Sequence, residues 1–275
     1  MSIHRGLMQG RLLPPVDEQI QSFPKDLWPE EFLKAKEIGL DCIEFIFDGQ
    51  NIDHHPLLTE VGQMQILNAI STSGVQVLSI CADYFMHYPL FQEGQDACFK
   101  LHQLIEAASR LSVWTIVLPF VDESSLKSSQ DQELLIKNLR PALDLAAEKR
   151  MTLSLETDLS PKDFKKLLDS IDHSSVKVNY DIGNSASLGF DVEEEWGTYG
   201  AKVADVHIKD RTLNGGTVPL GQGDALFDQL FIQMKKYDFK GPIILQGARG
   251  PLGSEVQTVQ EYLIKLDQWM GVFPE

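Results

Sequence analysis

Four polar residues close four strand-like runs in the second half of the chain, and together their side chains could hold a divalent cation. Glu156 closes Met-Thr-Leu-Ser-Leu, Asp181 closes Val-Lys-Val-Asn-Tyr, His207 falls in Val-Ala-Asp-Val-His-Ile, and Gln246 closes Pro-Ile-Ile-Leu. The steps between them are 25, 26 and 39 residues, room in each for a strand, a turn, a helix and a return. Two carboxylates and an imidazole suit Mn²⁺, Co²⁺, Zn²⁺ or Mg²⁺. Gln246 could complete the shell through its amide oxygen, more weakly than a carboxylate. Each residue also has a plain structural reading. Glu156 could be a rim carboxylate paired with Lys209, Asp181 a turn-former, and His207 a satisfied core histidine.

The elements that would position them alternate strictly. Strand-like runs are Gly6–Gln9, Cys42–Phe47, Gln76–Cys81, Trp114–Leu118, Thr152–Leu155, Val176–Tyr180, Val203–Ile208 and Pro242–Leu245. Helix-like segments are Pro29–Ile38, Glu60–Ser73, Gln95–Leu111, Gln130–Lys149, Pro161–Ser170, Val192–Tyr199, Ala225–Tyr237 and Glu255–Met270. Ser160-Pro161-Lys162-Asp163 reads as a helix start, and Asp224 as the cap of the run from Ala225. Eight β-α units in one chain of 275 residues predict a single (β/α)₈ barrel domain over residues 1–275, with active-site residues at the C-terminal ends of its strands. The doubly wound alternative lacks an early glycine fingerprint. Leu12–Pro29 is read as an ordered loop over the barrel mouth, and Glu123–Ser129 as a polar surface loop.

Bulk properties narrow the partners. The net charge of −16 disfavours nucleic acid. Cys42, Cys81 and Cys98 show no metal spacing, and Cys42 and Cys81 sit in apolar runs as core residues. The N-terminus lacks a signal-peptide stretch, and no run reaches the ~18 apolar residues a membrane helix needs. The expectation is a soluble cytoplasmic protein with no membrane partner.

Glu156, Asp181-Ile182-Gly183-Asn184, His207-Ile208-Lys209-Asp210 and Pro219-Leu220-Gly221-Gln222-Gly223-Asp224 form an ordered set. With Met8-Gln9-Gly10-Arg11-Leu12 and Asp41-Cys42-Ile43-Glu44, this set resembles the sugar phosphate isomerase/epimerase superfamily. That is the xylose isomerase-like TIM barrel group, which also includes endonuclease IV. The resemblance covers nearly the whole chain and implies a small-molecule sugar substrate. In ketose epimerases of the group, Glu, Asp, His and Glu hold a divalent ion and the two glutamates shuttle the proton. By similarity Glu156, Asp181 and His207 take the first three places. The fourth is Gln246, which cannot act as a general base. The implied reaction is isomerisation or epimerisation of a small sugar or sugar phosphate through a metal-stabilised enediolate. Glu156 is the base and Lys209, or a water on the metal, returns the proton, with Asp210 holding the ammonium. Barrels of the group are often dimers or tetramers, implying a homo-oligomer by analogy.

Other rim residues extend the site. Arg11 and Arg249 follow neighbouring strands and could grip a phosphate or carboxylate, or else bond loop carbonyls. With Lys209 and Arg211 they would make a cationic mouth. Glu44 is read as a substrate contact, a partner of a neighbouring ligand or a structural salt bridge, His87 as a sugar contact beside Asp83, Tyr84 and Tyr88 or else a partly exposed loop histidine, and Asn184 as a substrate-facing residue. Trp28, Phe45, Phe47, Phe85 and Phe120 could form an apolar wall. The doublet His54-His55 is read as surface. Two other functions compete: a metal-dependent dehydratase or lyase on a cyclitol or keto-sugar, and, because Gln246 replaces a glutamate, a non-catalytic sugar-binding barrel. An endonuclease IV-like activity would need three zinc ions and far more ligands than seven histidines supply.

Overall fold

The computed structural model describes residues 3–49, 52–94 and 96–271. Seven strands run in order: β1 (Arg5–Met8), β2 (Cys42–Ile46), β3 (Gln76–Cys81), β4 (Thr115–Phe120), β5 (Thr152–Thr157), β6 (Val176–Asp181) and β7 (Val203–Ile208). Two short strands follow, β8 (Asp210–Arg211) and β9 (Thr217–Val218), which pair antiparallel as a ribbon. Then β10 (Ile243–Leu245) closes the parallel barrel between β7 and β1. Every residue of Cys42–Ile46 and of Thr115–Phe120 is buried, as expected of parallel strands covered on both faces.

Among the described residues ten α-helices lie between and after the strands: α1 (Trp28–Glu37), α2 (Glu60–Ser73), α3 (Tyr84–His87), α4 (Asp96–Arg110), α5 (Ser129–Glu148), α6 (Pro161–Ile171), α7 (Ile182–Leu188), α8 (Val192–Tyr199), α9 (Phe227–Lys236) and α10 (Glu255–Trp269). Local chemistry starts them. Thr59, Ser128, Ser160 and Asp191 each accept a backbone N–H from the first turn. α6 buries Phe164, Leu167, Leu168 and Ile171, the i, i+3, i+4, i+7 stripe that faces a barrel. The expected single (β/α)₈ barrel is the observed fold.

The differences from expectation have local causes. Asp224 does not cap α9; its Oδ2 accepts Leu213 N–H at 2.7 Å, and the helix starts at Phe227. Asp181 is no simple turn-former. It caps α7, a helix the periodicity did not announce because it is only seven residues long. Gln95, the expected start of α4, lies outside the described residues. Trp28, Phe45, Phe47, Phe85 and Phe120 are core side chains, and none lines the mouth cavity described below. No helix among the described residues is long and apolar enough to cross a membrane.

His55 is not a surface residue. It is 2% exposed, its Nδ1 accepts Leu57 N–H at 3.3 Å, and its Nε2 lies 3.1 Å from Ile46 O at the end of β2. The rings of Phe23 and Phe47 stand 4.5 and 5.1 Å away. Burial lowers its pKa to about 4, the bond to Ile46 opposing. The folded protein therefore refuses a proton that the unfolded chain takes near the ordinary value of 6.5. Stability from this residue is intact above that value and is lost as pH falls towards 4. Between pH 6.5 and 5 the loss is about 2 kcal/mol. Urea unfolding at several pH values should show wild type losing that much more than His55→Gln over this interval; parallel pH profiles would refute it.

Candidate active site and metal centre

Register sets the site. Asp181 on β6 pairs with His207 on β7, and His207 with Ile244 on β10. Because side chains alternate along a strand, residues two apart share a face. The three candidate ligands on strands thus each have an inward neighbour two positions earlier: Ser154 below Glu156, Asn179 below Asp181 and Asp205 below His207. The barrel interior is a stack of polar side chains under the mouth.

Glu156 is 6% exposed. Its Oε2 accepts Asn179 Nδ2 at 2.8 Å and its Oε1 accepts Asn184 Nδ2 at 2.5 Å. Arg211 Nη1 donates to Asn184 Oδ1 at 2.9 Å, which fixes that amide with its N–H turned to Glu156. Burial, with the charge of Asp181, pushes the Glu156 carboxyl up to about 7, against His207, Lys209 and Asn179. A carboxyl near neutrality can both take and give a proton.

His207 is fully buried. Its Nδ1 faces Asn179 Nδ2 at 3.1 Å and Glu156 Oε2 at 3.7 Å, and its Nε2 is 2.8 Å from Glu44 Oε1. Burial opposes charge on the ring, but Glu44, Glu156 and Asp181 outweigh it and push the pKa up to about 10. Both observations express one demand: this centre attracts further positive charge. Asp205, the next acid down, accepts Ser154 Oγ at 2.7 Å, and burial with the charge of Glu44 raises it to about 8.

A metal ion is one way to meet that demand, and the donors fit one. Ligand atoms of Glu156, Asp181 and His207 all lie within 4.8 Å of one another. Gln246 Oε1 is buried with no hydrogen-bond partner. Two carboxylates, an imidazole with its far nitrogen held by a carboxylate, and a neutral oxygen make a coherent set for a divalent ion. A second triad, Glu44, Asp205 and His207, is equally compact but shares the same imidazole.

Over this centre opens a cavity of about 830 Å³, lined among others by Gln21, Asp83, His87, Glu156, Asn184, Lys209 and Gln246. The loop Leu12–Pro29 does reach it, through Gln19, Ile20 and Gln21. Several expectations need correction. Arg11 and Arg249 do not reach the cavity. Arg11 Nε and Nη1 donate to Gly247 O and Ile20 O at 3.2 and 2.5 Å; Arg249 Nε and Nη1 donate to Ile20 O and Leu13 O at 3.0 and 2.9 Å. Both line a separate, tight crevice. Glu44 is a partner of a neighbouring ligand, one of its expected readings, and not a substrate contact: it lies fully buried beneath the centre, with Oε1 2.8 Å from His207 Nε2 and Oε2 accepting Ser79 Oγ at 2.5 Å. The mouth is not a cationic patch, since Asp48, Asp83, Asp122, Glu123 and Glu156 line it against Lys209 and Arg211. Lys209 pairs with Asp181 at 2.7 Å, not with Glu156 or Asp210.

Asp210 has another task. Its carboxylate accepts the N–H groups of Gly221, Gln222, Gly223 and Ala225 at 2.7 to 3.1 Å. A Cβ at Gly223 would come within 2.3 Å of Asp210 Oδ1, so glycine is required there. The Gly-x-Gly-Asp motif is thus a loop pinned on a buried acid. This anchor orients the β7–α9 connection that carries Lys209 and Arg211.

The described geometry matches a known family. A family model described as xylose isomerase-like TIM barrel matches residues 32–266. The chain belongs to the xylose isomerase-like TIM barrel family. A Haemophilus influenzae protein, SgbU, provisionally named L-ribulose-5-phosphate 3-epimerase, is 28% identical over 82% of this chain and 86% of its own length. The L-ribulose-5-phosphate 3-epimerase UlaE of Shigella flexneri serotype 5b is 25% identical over 80% and 82%. A xylose isomerase-like TIM barrel protein of Mycobacterium smegmatis, solved in complex with magnesium, superposes with a TM-score of 0.70 over all of both chains at 16% identity. These relatives support an enzyme of the sugar phosphate isomerase/epimerase type.

Asn179, Asp205, Ser154 and Gln21 escaped the sequence reading. Strand alternation from Glu156, Asp181 and His207 points to the first three. For Asp210, replacement with Ala should cost about 2 kcal/mol, since several loop N–H groups lose one charged acceptor. Urea denaturation should show a lower midpoint at unchanged slope; an unmoved midpoint would contradict the anchor.

Proposed function

We propose that this chain is a metal-dependent epimerase or isomerase of a small sugar or sugar phosphate, with Glu156 as the proton-transferring base. One observation carries the reading: a buried carboxylate whose pKa rises to about 7 faces a cavity of substrate size beside an ammonium and an unpaired amide oxygen. Glu156, Asp181, His207 and Gln246 are the residues that would hold the ion, which when bound supplies a Lewis acid for a substrate carbonyl.

The chain's own residues perform the rest. Glu156 removes the proton alpha to the carbonyl, and the donors Asn179 and Asn184 fix its two oxygens so that the carboxylate keeps one orientation. Lys209 opposes the charge that develops on the substrate and supplies the return proton; its pairing with Asp181 holds it at the mouth. Arg211 holds Asn184 in position. His87, on the one-turn helix α3, contributes a polar group to the opposite wall. Arg11 and Arg249, occupied by loop carbonyls, hold the roof of the cavity and take no phosphate. A phosphorylated substrate would place its anion near Lys209 and Arg211. Three free thiols favour a reducing compartment, the cytoplasm.

Glu156→Gln keeps shape but not basicity. It should lower kcat by at least about 10³-fold while Mn²⁺ still binds in calorimetry, and it should end deuterium uptake from D₂O into ketose substrates. Retention of wild-type turnover would remove Glu156 from the mechanism. Loss of water from the substrate, without solvent exchange, would favour a dehydratase.

A further inference from the structure

Gln246 stands where the resemblance puts a glutamate, and its neighbours decide which amide atom it turns to the centre. Gln246 Nε2 donates to Gln21 Oε1 at 2.9 Å. Oxygen and nitrogen of a carboxamide are nearly the same size, so their placement must be settled by groups that cannot exchange roles. Two such groups hold Gln21. Arg11 Nη2, which only donates, reaches Gln21 Oε1 at 3.2 Å. The Asp83 carboxylate accepts Gln21 Nε2 at 2.7 Å. Gln21 therefore shows its oxygen to Gln246, and Gln246 must answer with N–H. Its own Oε1 is left in the cavity wall, buried and without a hydrogen-bond partner, on a residue 8% exposed.

We propose that Gln21, clamped between Arg11 and Asp83, is a positioning residue that restricts position 246 to a neutral carboxamide with its oxygen turned into the site. A carboxylate at 246 would set an acceptor against Gln21 Oε1 with no proton between them. Gln21 cannot turn over in response without placing its N–H groups against Arg11 and its oxygen against Asp83. The exclusion of a carboxylate from position 246 makes the site one-sided: Glu156 has no carboxylate counterpart there, and the return proton falls to Lys209. That consequence rests on the function proposed above; the amide orientation itself does not.

The test is a double-substitution cycle on the full-length, metal-free protein in chelator at pH 7.5, read as Tm. Gln246→Glu should lower Tm by about 3–8 °C in the native background, the effect of opposing two buried acceptors. With Gln21→Ala also present, the same step should cost less than half as much. A greater cost in the Gln21→Ala background means that Gln21 presents N–H to position 246, and it overturns the proposal; so does additivity. Gln21→Met, of similar length, serves if Gln21→Ala does not fold. Calorimetry with Mn²⁺ supplies the second arm: Gln21→Ala should weaken binding about 10- to 100-fold, and unchanged affinity would overturn the positioning role. If the wild type binds no Mn²⁺, the metal reading of the centre fails, while the Tm cycle still decides the amide.

Discussion

Charge buried inside a closed barrel must be compensated there. Glu44, Glu156, Asp181, Asp205 and His207 are each at most 6% exposed, within one polar stack. Moving a carboxylate out of water costs several kcal/mol unless partners replace the hydration. The barrel supplies those partners from fixed strand positions: Ser79 to Glu44, Ser154 to Asp205, and Asn179 to Glu156. Lys209 neutralises Asp181, and His207 bridges Glu44 and Glu156. Acids still outnumber these cations. Burial, and after it this excess of negative charge, raises the carboxyl pKa values of Glu156 and Asp205, and the acids make the imidazole strongly basic. A site so constructed favours a bound cation, and burial beside Asp181 gives Glu156 its basicity.

The loops hold this arrangement with anchors that never touch the centre. Glu31 on α1 is fully buried, and its carboxylate takes the N–H groups of Gly10 and Leu12, securing the chain after β1. Arg11 and Arg249 tie that loop to the segment after β10 through Ile20 O, which both contact. Gln21 is thereby delivered beside Gln246, and Asp210 performs the matching task for the loop after β9. Rigid anchoring matters for proton transfer, where a misplacement of about 1 Å can cost two orders of magnitude in rate.

Much of the fold was legible because periodicity and turn residues agree along the whole chain. Glu156, Asp181 and His207 were legible because each ends a strand, where a barrel builds its site. Other features needed three dimensions. Arg11 and Arg249 do lie close to each other, as strand order implied, but only geometry shows their donors occupied by carbonyls. Gln21 and Gln246 are 225 residues apart and belong to no joint motif. His55 looked exposed beside a second histidine because nothing local reports the aromatic pocket of Phe23 and Phe47. Asp210 and Asp224 sit in recognisable motifs, but the backbone N–H groups that claim them come from residues 221–223 and 225 for Asp210 and 213 for Asp224.

The central claim is that Glu156, Asp181, His207 and the Gln246 oxygen converge on one cation. Anomalous diffraction from crystals soaked in Mn²⁺ tests it directly. One strong peak at the barrel centre, within coordination distance of all four residues, is the expected result. Manganese scattered over the acidic rim at Asp48, Asp122 and Glu123, with the centre vacant, would contradict it.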